Sequence, residues 1–146
     1  LPICKKLGIG LASWSHLAMG YLTGNINQKT QFKSTDYRAR VPWFEPQNVT
    51  ANFAILNFVK KWAEQKNATP ARISLEWLLA QSPNVVPITG TTKMNHLLDN
   101  LGADGVHFTA EEISKLNADL QKITVHGARL PDAVLSFSGV EAPPLK

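Results

Sequence analysis

The chain has 146 residues, a length that suits one domain, and its 44% hydrophobic and 18% charged residues exclude a disordered polymer by composition. Fifteen Lys and Arg against eleven Asp and Glu give +4. The basic residues are spread thinly, with Lys5-Lys6 and Lys60-Lys61 the densest clusters. This reads as a mildly basic surface and not as a nucleic-acid-binding one.

The chain opens on Leu1, with no basic, apolar and small-residue leader pattern before it. It reads as processed, or as cut from something longer. Residues 2–7 read as the end of a helix, stopped by Gly8. Cys4 lies there, the single cysteine, which excludes an internal disulfide and fits a reducing, cytoplasmic setting. Its thiol reads equally as slightly acidified by Lys5 and Lys6 or as buried and inert. Residues 9–14 read as a short strand, apolar enough for burial on both faces. The longest apolar candidate, Ile9 to Leu22, is broken by Gly10, Ser13, Ser15, His16 and Gly20, so a membrane span is not expected.

Residues 15–47 form a long irregular loop of the functional or mobile kind. Helices are expected over 48–81. The first has Asn48 as N-cap and an apolar face of Ile55, Val59 and Trp62. The second starts at Thr69-Pro70 and carries Ile73, Trp77 and Ala80 on one side. A β-branched strand follows at 85–89, with Pro87 near its end or at a bulge. Helices are expected over 92–123. One is closed by Gly102, and the next is opened by a Thr109–Glu112 capping box with Phe108 and Ile113 as a hydrophobic staple. The tail, 124–146, is weakly patterned and ends as an extended surface segment.

Two apolar strands separated by helices imply a parallel crossover. A parallel pair buried on both faces belongs to a larger sheet, so the class is α/β with further strands missing. Ligands of such sheets bind beyond the carboxyl ends of the strands. Gly90, Thr91, Thr92 and Lys93 there fit either a phosphate site or an ordinary helix start. His16, His96, His107 and His126 include no pair at helical metal-ligand spacing. Glu111-Glu112 suit a helix N-terminus, and no G-x-G-x-x-G or Walker pattern occurs.

The segments Trp14–Gly24, Ala68–Leu79, Pro87–Ala103 and Phe108–Ile113, in this order and spacing, resemble the carboxy-terminal half of an aldo-keto reductase. The resemblance runs from about Cys4 to Ile123. It implies the C-terminal portion of a (β/α)8 TIM barrel, incomplete as a stand-alone barrel. It also implies an oxidoreductase that reduces aldehydes or ketones, small-molecule carbonyls, with NADPH and less often NADH.

By resemblance, Trp14 stacks on the nicotinamide, and Ser15, Leu17 and the backbone to Gly20 follow the pyrophosphate. Gly90, Thr92 and Lys93 hold the 2′-phosphate. Asp99 and Asn100 read the adenine amino group, and Arg38 belongs to a loop over the cofactor. His96 stands in the adenine-ribose region where Arg or Gln is usual. His16 stands where the family has Pro, and Asp99 where it has Glu. The family's catalytic Asp, Tyr, Lys and His lie on earlier strands, so the resemblance assigns no catalytic residue here. Core packing is the competing reading of Trp14. For the whole chain, the alternative is a non-catalytic relative acting as a nucleotide-binding or self-associating module. The expected partner is either a second copy or the missing N-terminal half of the barrel.

Overall fold

A computed structural model describes residues 1–136. The expected Ala142–Lys146 surface segment lies outside these residues. The chain divides into two compact units. The first comprises Leu1–Ile26 and Ala54–Thr124, and the second Asn27–Phe53 with the segment that starts at Val125.

In the first unit, helix α1 (Pro2–Leu7) ends at Gly8, whose φ of 65° is the left-handed conformation expected there. Strand β1 (Leu11–Trp14) pairs in parallel with β2 (Val85–Ile88), from Leu11 opposite Val85 to Trp14 opposite Ile88. Pro87 is the penultimate residue of β2, close to the strand end as expected. Burial of β1 on both faces is not observed: Leu11 and Trp14 are exposed, as are Val86 and Ile88 on β2. Among the described residues each strand has only the other as a sheet neighbour, and of their apolar side chains Val85 is buried.

Helix α3 (Phe53–Gln65) buries Leu56, Val59, Trp62 and Ala63. Val59 and Trp62 of the expected face are thus buried, with Leu56 and Ala63 beside them, and Ile55 is half-buried. Helix α4 (Pro70–Leu79) starts as expected, with the Thr69 hydroxyl accepting from the Arg72 N–H and proline in the first turn. It buries Ala71, Ile73, Ser74 and Leu75. Ala80, expected on its apolar side, lies just past the end and is exposed. After β2, helix α5 (Met94–Leu101) leads through Gly102 into a 3₁₀ turn, and α6 (Ala110–Leu120) follows.

The core of this unit gathers Val59, Trp62, Ala63, Ile73, Val106 and Leu116. Trp62 meets Phe108 edge-on at 5.6 Å, and the Trp77 indole N–H donates to Asn117 Oδ1 at 2.7 Å. The Thr109–Glu112 capping box is present. Its Glu112 also accepts from Lys66 Nζ at 2.6 Å, while the same ammonium lies 5.3 Å from the Phe108 ring. That contact holds the Glu112 carboxyl below the usual range.

In the second unit, the loop expected to be irregular contains 3₁₀ turns at Tyr37–Arg40 and Pro42–Phe44. Helix α2 (Pro46–Ala51) begins two residues before the expected Asn48, with Glu45 as N-cap. Proline suits the first turn, and the Asn48 amide instead donates to the Pro42 carbonyl at 2.8 Å. The expected single helix breaks at buried Asn52. Its side chain donates to the His126 carbonyl and accepts from the His126 N–H, both at 2.8 Å. Gly127 next to it has a φ of 82°, and a Cβ there would sit 2.9 Å from the Pro42 carbonyl oxygen. Helix α7 (Asp132–Leu135) was not anticipated in the weakly patterned tail.

Two outcomes follow for stability. Thr109→Ala removes a cap and lowers unfolding free energy by about 1 kcal/mol in denaturant titration. Asp119, bonded by Lys115 and Lys122, has its carboxyl lowered from 3.8 to about 2. A depressed folded-state pKa gives stability present above the unfolded value and lost as pH falls through the folded one. Asp119→Asn should therefore flatten the stability profile between about pH 4 and pH 2, with little change in slope above it.

Candidate functional site at the carboxyl ends of the strands

Because β1 and β2 run parallel and Trp14 lies opposite Ile88, the segments that leave them start side by side at one sheet edge. Neighbouring strands sit about 4.8 Å apart. The two turns therefore start from adjacent strand ends.

The turn after β1 is tightly wound. Ser15, Ala18 and Met19 have φ of 62°, 48° and 53°, and Gly20 has 99°. Three non-glycine residues in left-handed conformation within five positions store strain at this spot. The turn is fastened to itself: Ala18 N–H donates to Ser15 O at 3.0 Å, Gly20 N–H to Leu17 O at 2.9 Å, and Thr23 Oγ to Gly20 O at 2.7 Å. Trp14 at its entrance is 55% exposed. Tyr21 at its far side is buried, and that burial pushes its phenol up to about 12. His16 brings Nδ1 to 3.5 Å from Ser13 Oγ.

The turn after β2 is open. Gly90, Thr91, Thr92 and Lys93 are exposed, and a Cβ on Gly90 would meet nothing within 4 Å. The Lys93 N–H donates to Thr91 Oγ at 3.1 Å, and α5 starts at the next residue. On α5, His96, Asp99 and Asn100 share one face by their i, i+3 and i+4 spacing. The opposite face carries Met94, Leu97, Leu98 and Leu101, all exposed.

Asp99 is already engaged. Its carboxylate accepts from Arg72 Nε at 2.9 Å and from the Thr69 hydroxyl at 3.0 Å, and its main-chain carbonyl accepts from Arg72 Nε at 3.2 Å. Sequence reasoning took Thr69 only as a helix cap and gave Arg72 no role. Contacts spanning 27 and 30 residues leave no local pattern to find.

Arg38 belongs to the second unit. Asp36 holds its guanidinium at 2.7 Å, 4.5 Å from the Phe32 ring centre, so its local structure is that of a clasped turn. An open depression of about 470 Å³ is lined by Lys60, Glu64, Asn67 and Pro70, and none of the sequence-predicted residues faces it. Among the described residues no group of three His, Cys, Asp or Glu could hold a metal, and no helix is long and apolar enough to cross a membrane.

Paired parallel strands joined and followed by helices define a partial α/β fold among the described residues. The Aldo/keto reductase family model matches residues 1–120. The chain belongs to that family. It is 32% identical over 129 residues to aldo-keto reductase str7 of Strobilurus tenacellus, covering 88% of this chain and 38% of that protein. It is 30% identical over 145 residues to aldo-keto reductase yakc [NADP(+)] of Schizosaccharomyces pombe, covering 99% and 43%. Glycerol dehydrogenase AKR11B4 from Gluconobacter oxydans superposes with a TM-score of 0.76 at 25% identity, over 88% of this chain and 39% of that one. The chain thus spans about two fifths of the length of the relatives it matches. Its partial α/β fold, which among the described residues has two parallel strands, many helices and no closed sheet, is a section of a TIM barrel.

The exposure of Trp14 can be checked directly. Trp14→Phe should remove a large share of the acrylamide-quenchable fluorescence, and Trp62→Phe, at a position 7% exposed, a small one.

Proposed function

We propose that this chain is the cofactor-binding section of an NADP(H)-dependent oxidoreductase that reduces aldehydes or ketones to alcohols. The observation that carries the reading is the strand register, which starts the Trp14 and Thr89 turns side by side. The exposed indole suits stacking on a flat ring, and the left-handed turn from Ser15 through Leu17 to Gly20 suits backbone lying along a pyrophosphate. The open cradle of Gly90, Thr92 and Lys93 before α5 suits a phosphate, with Lys93 supplying a cation. His96, Asp99 and Asn100 on one face of α5 suit ribose and adenine. When bound, reduced nicotinamide supplies a hydride to a carbonyl carbon. Protonation of the carbonyl oxygen falls to residues outside this chain. Tyr21 is buried and its phenol is pushed to about 12, away from the range useful to a general acid.

The reading is tested by calorimetric titration of the chain with NADPH and NADH. NADPH should bind more tightly, and Lys93→Ala should weaken NADPH about tenfold while leaving NADH nearly unchanged. The chain alone should not consume NADPH with 4-nitrobenzaldehyde. Equal affinities, or turnover, would overturn it. A second reading, a self-associating nucleotide-binding module, draws on the exposed Leu11, Trp14, Val86 and Ile88 and the apolar face of α5. Sedimentation at micromolar concentration separates it, since that reading requires a dimer or larger.

A further inference from the structure

We propose that Thr69 and Arg72 are positioning residues for base recognition. They fix the aim of the Asp99 carboxylate, and Gly102 provides the space that Arg72 needs. The inference rests on the dinucleotide reading above and adds to it a residue set on α4, a helix to which that reading gives no part.

Three hydrogen-bonding groups close on one another. The Thr69 hydroxyl accepts from the Arg72 main-chain N–H at 3.2 Å, which is its capping role. The same hydroxyl donates to the Asp99 carboxylate, 3.1 and 3.0 Å from its two oxygens. Arg72 Nε–H is shared between Asp99 Oδ1 at 2.9 Å and Asp99 O at 3.2 Å. The carbonyl lies in the last turn of α5, where the Gly102 N–H also reaches it and a cation is favoured. A carboxylate offers about four acceptor positions, so these bonds orient Asp99 without exhausting it. Its side chain is 29% exposed, so a ligand can reach the remaining positions.

The guanidinium passes where a side chain on residue 102 would project. A Cβ built on Gly102 lies 2.5 Å from Arg72 Cζ and 2.6 Å from Nε. The backbone of Gly102 is right-handed helical, with φ −66°, so alanine is tolerated by the main chain there. Gly102→Ala would therefore displace a flexible side-chain end from Asp99 while keeping every charge and the helix. That makes it the cleanest probe of the arrangement.

Adenine presents an amino donor at position 6, and hypoxanthine presents a carbonyl oxygen there. An aimed carboxylate accepts from the first and repels the second. The experiment titrates the full chain with NADPH and with reduced nicotinamide hypoxanthine dinucleotide phosphate and reads the ratio of affinities. Circular dichroism confirms that each variant is folded. The wild type should prefer adenine about tenfold. Gly102→Ala, Arg72→Gln and Thr69→Val should bring the ratio close to one, and Thr69→Ser should restore it. A purely structural role would weaken both ligands alike and leave the ratio in place. Retention of the wild-type ratio in Gly102→Ala and Arg72→Gln, with its loss in Asp99→Asn, overturns this inference and leaves the site standing. A ratio near one in the wild type, or retained in Asp99→Asn, overturns Asp99 as base reader and the inference with it. Failure of the wild type to bind either dinucleotide overturns the site itself.

Discussion

The parallel pairing of two four-residue strands governs what the rest of the first unit can do. Antiparallel pairing would send the segments after Trp14 and Ile88 to opposite edges. Parallel pairing, register-locked from Leu11–Val85 to Trp14–Ile88, brings a strained turn and a helix start to one edge although some 70 residues of chain separate them. The helices between the strands make this geometry possible, because a parallel return needs a long crossover. Two of them, α3 and α4, pack with α6 from beyond β2 in a core of Val59, Trp62, Ile73 and Leu116.

The two turns solve different problems. The first is over-determined, with left-handed residues pinned by its own carbonyls, and it presents a fixed backbone path. The second is bare, with Gly90 to Lys93 exposed and little protein around them. A site assembled from one rigid and one open wall can be shaped on one side before a ligand arrives and contacted freely on the other.

Much of this was legible in the sequence where the signal is local. Gly8, Thr69-Pro70 and the Thr109–Glu112 box each mark a helix terminus through hydrogen bonds made within a few residues, and each stands where expected. Element order and parallel direction follow from short apolar strands divided by helices. What escaped depends on distant partners. Asn48 has the chemistry of an N-cap, yet Pro46 starts the helix and the Asn48 amide serves Pro42. Asn52 breaks a continuous apolar pattern because its side chain pairs with His126, 74 residues away. The apolar sequence of β1 is suited to cover on both faces, while its actual exposure depends on which strands lie beside it. Among the candidate site residues, placing Trp14 and Gly90 at one edge was legible; the engagement of Asp99 by α4 was not.

Glu112 shows how local and distant order become a single event in this chain. Its Oε2 accepts at once from the Thr109 main chain, which begins α6, and from Lys66, just past the end of α3. Nucleating the helix and docking it therefore share an atom. α6 gains its first turn most readily when α3 is already beside it, so the two helices should assemble cooperatively and come apart together, with no stage at which α6 is formed but adrift.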